Sequence, residues 1–158
     1  MRKIFVYLIT VMLGLGLSMP THAALIDLGG GMIYSTDMDL TWLQDANYAR
    51  TSGVSVDGLM TWDEANTWAT NLVYGGVGGW RLPTYDPILK GQCEFPGPIS
   101  RLNEMEYLRK YECNCTSDWA NCPFINLGGD YEPYDVYWSG TEATDDPTRA
   151  WYWMYGCG

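Results

Sequence analysis

Five cysteines offer the widest chemistry in this chain: Cys93, Cys113, Cys115, Cys122 and Cys157. Thiols can pair as disulfides, hold zinc or exchange electrons, and their spacing separates these uses. Cys93, Cys113, Cys115 and Cys122 lack the paired C-x-x-C knuckles of a structural zinc site, which argues against metal. Cys113-Asn114-Cys115 has the look of a redox pair, but no basic or helical setting that would make a thiolate reactive surrounds it. Disulfides are the preferred reading for Cys93, Cys113, Cys115 and Cys122. Their connectivity cannot be deduced from spacing, and an odd count leaves one thiol over, for which Cys157 is the candidate. The single histidine, His22, lies at the edge of an N-terminal apolar segment. No histidine follows it, so residues 24–158 can form neither a Ser-His-Asp or Cys-His catalytic group nor a His-ligated metal site.

The carboxylates invite three further readings. Asp37 and Asp39 could begin a calcium loop, but the Gly at its sixth position and the distal Glu are missing, so turn chemistry is preferred. Asp63 and Glu64 read as the acidic first turn of a helix rather than as an acid–base pair. Asp145 and Asp146 sit in a polar loop and could help hold calcium; a solvated acidic loop is the simpler expectation, and no resident cofactor is expected. The stretch 75-GGVGGWRLPT-84 looks at first like a phosphate cradle. It has neither the G-x-G-x-x-G spacing between strand and helix nor a G-K-[ST] opening a helix, so phosphate binding is set aside.

The N-terminus reads as a signal peptide over residues 1–23. Arg2 and Lys3 precede an apolar run from Ile4 to Leu17, and Met19-Pro20-Thr21-His22-Ala23 supplies a cleavage site. The expected mature protein is exported, whether periplasmic, cell-surface or secreted, with no membrane span after Ala23. Losing Arg2 and Lys3 makes the formal charge two units more negative than −10. Nucleic acid and other polyanions are poor partners for such a surface. Residues 24–158 suffice for one domain with a sizeable core, and eight Trp supply rings to fill it.

The elements that must position these residues follow from periodicity. Leu25 to Leu43 predicts short strands, with Gly29-Gly30-Gly31 and Thr36-Asp37-Met38-Asp39 as turns. In 61-TWDEANTWATNL-72, Thr61 and Glu64 form a capping box, and Ala65, Trp68, Ala69 and Leu72 make one apolar helix face that ends near Tyr74 at the glycines. A second helix is expected from Asn103, its cap, to about Tyr111, with Met105 and Leu108 on one face. Glu104 and Glu106, two apart, diverge. The Pro/Gly-rich segment 85-YDPILKGQCEFPGPIS-100 and 112-ECNCTSDWANCP-123 read as stapled loops. Strands at 136-VYWSG-140 and 149-RAWYWMY-155 close the chain, the last with apolar residues on both faces and so expected in a sheet interior.

Five stretches together resemble a family: 39-DLTWLQDANYA-49, 60-MTWDEANTWATNLVYGG-76, 79-GWRLPT-84, 103-NEMEYL-108 and 137-YWSGTE-142, with Ala150-Trp151 behind them. The combination is similar to the C-terminal domain of Lcl-type collagen-like adhesins, a domain of unknown function in exported bacterial proteins. That family is in turn similar to formylglycine-generating, sulfatase-modifying domains. The resemblance implies an α+β, C-type-lectin-like fold: two helices, twisted antiparallel sheets and disulfide-stapled loops. It makes Trp80, Arg81, Leu82, Pro83, Thr84, Glu104 and Trp138 fold-defining positions. With the R-L-P-T run near the second helix, Arg81 is expected to pair with Glu104 or Glu106. Relatives commonly continue past the A-W strand to another Trp-containing strand. Residues 24–158 are therefore expected to form a single domain of this kind that either is incomplete, lacking its last strand, or has a short last sheet. The catalytic cysteines of the formylglycine-generating enzymes have no counterpart motif in this chain.

The function expected is a non-catalytic binding or adhesion module contacting glycans or surface proteins. The adhesin relatives imply sulfated polysaccharide, whereas the acidic surface favours a neutral sugar stacked on Trp or Tyr. Trp119, Tyr131 and Tyr134, in polar loops, are the aromatic candidates, with Asp145 and Asp146 as polar ones. The alternatives are an enzyme using Cys157, or a structural subunit completed by a partner strand.

Overall fold

In the computed structural model, the described residues are 24–86, 103–113, 122–127, 136–146 and 148–154. They form a mixed α+β structure with two small antiparallel sheets and few helices. Strands β1 (Leu25–Gly29), β2 (Met32–Ser35) and β3 (Leu40–Leu43) make a three-stranded sheet in sequence order. Gly30 and Gly31, both at positive φ (64° and 80°), turn β1 into β2, as a tight two-residue hairpin requires. Gly31 has a second reason to be glycine: a Cβ there would lie 2.2 Å from the Tyr74 hydroxyl.

Alternation along β2 buries Ile33 and Ser35 completely on one face. A fully buried serine needs partners. The Ser35 hydroxyl donates to Glu112 Oε1 at 2.5 Å and accepts from the Met38 backbone N–H at 3.0 Å. The inner face of this sheet therefore docks on helix α3 (Glu104–Tyr107) and the π-helical turn Leu108–Glu112 that continues it. The Tyr107 hydroxyl donates to Asp37, and Leu25, Met38, Trp42 and Phe124 pack around buried Leu108 and Cys113. A disulfide from Cys113 to Cys122 brings Pro123–Ile125 alongside Gln44–Ala46, where Ile125 exchanges backbone hydrogen bonds with Gln44 and Ala46. Cys93, Cys115 and Cys157 lie outside the described residues.

A one-turn helix, α1 (Tyr48–Thr51), precedes the main helix α2 (Trp62–Asn71). The expected capping box is present: Thr61 Oγ1 accepts from the Glu64 N–H, and Glu64 Oε2 accepts from the Thr61 N–H at 2.8 Å. Ala65 and Ala69 are buried, and Trp68 and Leu72 half-buried, on the expected face. Helix α2 meets β4 (Val136–Glu142) through a reciprocal pair of indole contacts. Trp62 Nε1 donates to the Ser139 carbonyl at 2.8 Å, and Trp138 Nε1 to the Met60 carbonyl at 2.9 Å. Strand β5 (Ala150–Met154) pairs antiparallel with β4.

Three sequence expectations are corrected. Helix α2 ends at Asn71, not Tyr74, and the glycines do not cap it. Leu72 is already extended, and Gly75 and Gly76 instead turn a tight bridge in which Tyr74 and Val77 exchange both backbone hydrogen bonds at 2.9 Å. Asn103 does not cap α3 with its side chain, because its Oδ1 accepts from the Asp86 N–H at 2.6 Å. The α-helix itself gives way to the wider π turn after Tyr107. Strand β5 is not interior among the described residues: its one neighbour is β4, and Tyr152 is 50% exposed. No helix of the described residues is long and apolar enough to cross a membrane.

Candidate functional site

The chain from Arg81 to Asp86 has no regular secondary structure, yet it is held from two sides. On one side Glu104, at the start of α3, receives the Arg81 guanidinium in a two-pronged pair, Nη1 to Oε2 at 2.8 Å and Nη2 to Oε1 at 2.7 Å. The Thr84 N–H donates to the same Oε2 at 2.8 Å, and the Glu104 N–H donates back to the Thr84 carbonyl at 3.3 Å. Of the two glutamates expected to take Arg81, Glu104 does so; Glu106 turns away to Arg109 (2.7 Å) and to Trp153 Nε1 (3.0 Å).

On the other side a bulge in β4 reaches the same segment. Register with β5 shifts between Trp138 and Glu142, and the Ser139 hydroxyl fills the gap by donating to the Trp151 carbonyl at 2.8 Å. The freed Gly140 N–H donates to the Pro83 carbonyl at 2.8 Å, and Thr141 Oγ1 accepts from the Tyr85 N–H at 3.0 Å. Tyr85 then stacks on Trp151 with ring centroids 5.2 Å apart. Leu82-Pro83-Thr84 thus forms a seam between β4 and α3.

Electrostatics at the seam oppose one another. Burial alone pushes the Glu104 carboxyl up, but the Arg81 guanidinium and the Thr84 N–H more than reverse this and hold it below the usual glutamate range. Hydrogen bonding to Glu104 correspondingly raises Arg81 above its ordinary value, against a smaller effect of desolvation. Glu104's side chain is 9% exposed and Arg81's 49%, so the pair shows one flank to water.

That flank lines a cleft of about 210 Å³. Trp80 and Trp42 supply aromatic surface, Gly78 and Gly79 an open backbone edge, and Thr41, Asp39 and Arg81 polar groups. Trp80 is fixed by its indole N–H, which donates to the Val77 carbonyl at 2.8 Å, and by edge-on contact with Tyr74. Asp39 sits at φ 55° in the β2–β3 turn, with Oδ1 accepting from the Tyr34 hydroxyl at 2.8 Å. This hydrogen bond is the main cause of the raised Tyr34 pKa. An aromatic wall beside a carboxylate and a partly open guanidinium can stack a flat apolar face and exchange hydrogen bonds at its rim.

Sequence reasoning named Trp80, Arg81, Pro83 and Glu104, and the cleft brings these four together; Leu82 and Thr84 lie in the seam behind them, and Trp138 meets Met60 at α2. It missed Asp39, Thr41 and Trp42 as cleft residues. All three lie within 39-DLTWLQDANYA-49, but a turn aspartate carries no local sign of facing a loop forty residues away. Asp145 and Asp146 lie in the exposed β4–β5 turn, apart from the cleft lining. Arg149 pairs with Asp145 and with Asp146, each at 3.1 Å. Thr148, through its hydroxyl and then its N–H, holds the Asp146 carboxyl below the usual range, helped by Arg149. Trp119, Tyr131 and Tyr134 lie outside the described residues. Compared with protein-family models, curated proteins and solved structures, the chain matches none.

Proposed function

We propose that this protein is an exported, non-catalytic binding module that holds a neutral sugar in the Arg81 cleft. The reading rests on one observation: Trp80, Asp39 and the outer edge of Arg81 share a 210 Å³ cleft of mixed aromatic and hydrogen-bonding lining. One ring face of a sugar stacks on indole, while its hydroxyls donate to carboxylate and accept from guanidinium. With Glu104 neutralising Arg81, Asp39 leaves the cleft without surplus positive charge, so a sulfated chain is a worse ligand than a neutral one.

In the same reading the chain is a member of the Lcl C-terminal family, and its α+β architecture is a C-type-lectin-like one. The R-L-P-T seam between α3 and β4 supports that assignment, and the signal-like N-terminus and the Cys113–Cys122 disulfide support export. Calcium independence is part of this reading: Thr148 and Arg149 engage both oxygens of Asp146, and Arg149 also engages one oxygen of Asp145.

A glycan array with and without chelator tests this. The protein should retain a subset of neutral glycans equally in both conditions. Asp39→Asn, which keeps an oxygen for Tyr34, should weaken that binding about tenfold while melting normally. Retention of no neutral glycan, or full binding by Asp39→Asn, refutes the cleft as a sugar site.

A further inference from the structure

An open groove of about 650 Å³ runs beside helix α2 and shares no lining residue with the sugar cleft. Its lining is predominantly apolar. Half-buried Trp68 and Leu72 contribute the α2 wall. Three aliphatic side chains outside the helix join them: Val54 (58% exposed), Leu59 (52%) and Val73 (70%). Isolated exposed aliphatic residues are ordinary on a protein surface. Three of them around one groove make a patch, and such patches mark places where another molecule docks.

The polar groups of the lining give the groove a sign. Asp63 and Glu64, in the first turn of α2, belong to it, and it contains no Lys or Arg. Glu64 is spent on the capping box with Thr61. Asp63 has no hydrogen-bond or ion-pair partner among the described residues. The Ser55 hydroxyl bonds to Asp57 and to the Leu59 carbonyl, and the Asn71 amide donates to the Thr67 carbonyl, so both are engaged within the chain. Arg50, whose charge reaches Asp57, is outside the lining.

We infer that this groove docks a short amphipathic segment of another protein, apolar along one face and carrying Lys or Arg at its edge. The apolar face covers Val54, Leu59 and Val73, while a cation meets Asp63. From Asp63 to Asn71, α2 extends about 12 Å, room for roughly two helical turns of such a partner. Charge selects this occupant over a second copy of the chain. Each copy carries a formal charge of −10, and groove-to-groove docking would set Asp63 and Glu64 against a lining without Lys or Arg. The inference does not depend on sugar binding.

The test titrates the full chain with two synthetic amphipathic helical peptides, one of Leu and Lys and one of Leu and Glu, by calorimetry with light scattering in parallel. The Leu/Lys peptide should bind saturably, and the Leu/Glu peptide should not. Leu59→Ser and Val73→Ser together should weaken binding about tenfold without changing the melting temperature. Asp63→Asn should weaken it about threefold, whereas Glu142→Gln, the same loss of charge at an exposed site outside the groove, should not. No saturable binding, equal losses in Asp63→Asn and Glu142→Gln, or full binding by the double Ser variant overturns the inference. So does a dimer that the Ser substitutions dissolve, because a second copy then covers the groove. The Asp63 and Glu142 comparison stands even if the double variant does not fold.

Discussion

At the scale of single residues, Glu104 is the ionised group that ties the seam to α3. Its carboxylate accepts three hydrogen bonds, two from Arg81 and one from Thr84. Its pKa is lowered on folding, so its contribution to stability is complete above the usual glutamate range and is lost as pH falls through the lower folded value. Arg81, raised from an already high value, contributes no pH dependence below the arginine range. Thermal melts should therefore show stability falling on acidification, with a shallower fall in Glu104→Gln. Because Arg81 is half exposed, breaking the pair should cost about 1–3 kcal/mol rather than the larger cost of a fully buried one. Arg81→Lys, which loses the fork, should fall at the lower end, and Arg81→Glu at the upper end or beyond. An Arg81→Glu protein that melts like the unmodified one would show that the pair does not hold the seam to α3. That arginine needs an acid was legible from the R-L-P-T run and the acidic start of the next helix. Which acid was not, because the choice between Glu104 and Glu106 depends on how α3 rotates onto the seam.

At the scale of elements, what was local was legible. The start of α2 needs only Thr61, Glu64 and the four-residue periodicity that follows, and all are as expected. Thr61→Ala should cost about 1 kcal/mol, read as a shift of denaturant midpoint with unchanged slope. The end of α2 was not legible, since Tyr74 leaves helical geometry to pair with Val77 and to touch Tyr48 and Trp80 edge-on. The π turn after Tyr107 was equally hidden. Its surroundings, Glu112 on Ser35 and Cys113 bonded to Cys122, come from distant parts of the chain. Alternation in β5 showed which side chains share a face, with Trp153 in and Tyr152 out, but not how many strands would flank it.

At the scale of the molecule, two small sheets are joined by contacts that regular strand pairing does not supply: the seam, the indole–carbonyl pairs of α2 with β4, and the Cys113–Cys122 bond. The disulfide holds the 122–127 segment against the π turn and the first sheet. Replacing Cys113 and Cys122 by Ala should cost about 2–3 kcal/mol and lower Tm by roughly 10 °C, and dithiothreitol should have a comparable effect on the unmodified protein. A melt insensitive to both would show that packing around Leu108 alone suffices. Composition announced many rings to be packed and an acidic surface around them. It conveyed nothing of the cleft, because Asp39 and Trp80 meet only when the β2–β3 turn and the glycine loop come together.

The Val77 carbonyl accepts from both the Tyr74 N–H and the Trp80 indole. A two-glycine turn thereby sets the orientation of a ring that stands at the cleft. Trp80 has little rotational freedom left to lose when a ligand stacks on it, so the entropy of ordering that side chain has already been spent in folding. Calorimetry on a bound ligand would then register contact enthalpy with only a small ordering penalty. A loosened turn, as in Gly76→Ala, would move that penalty back into the binding entropy while leaving every contact in the complex the same.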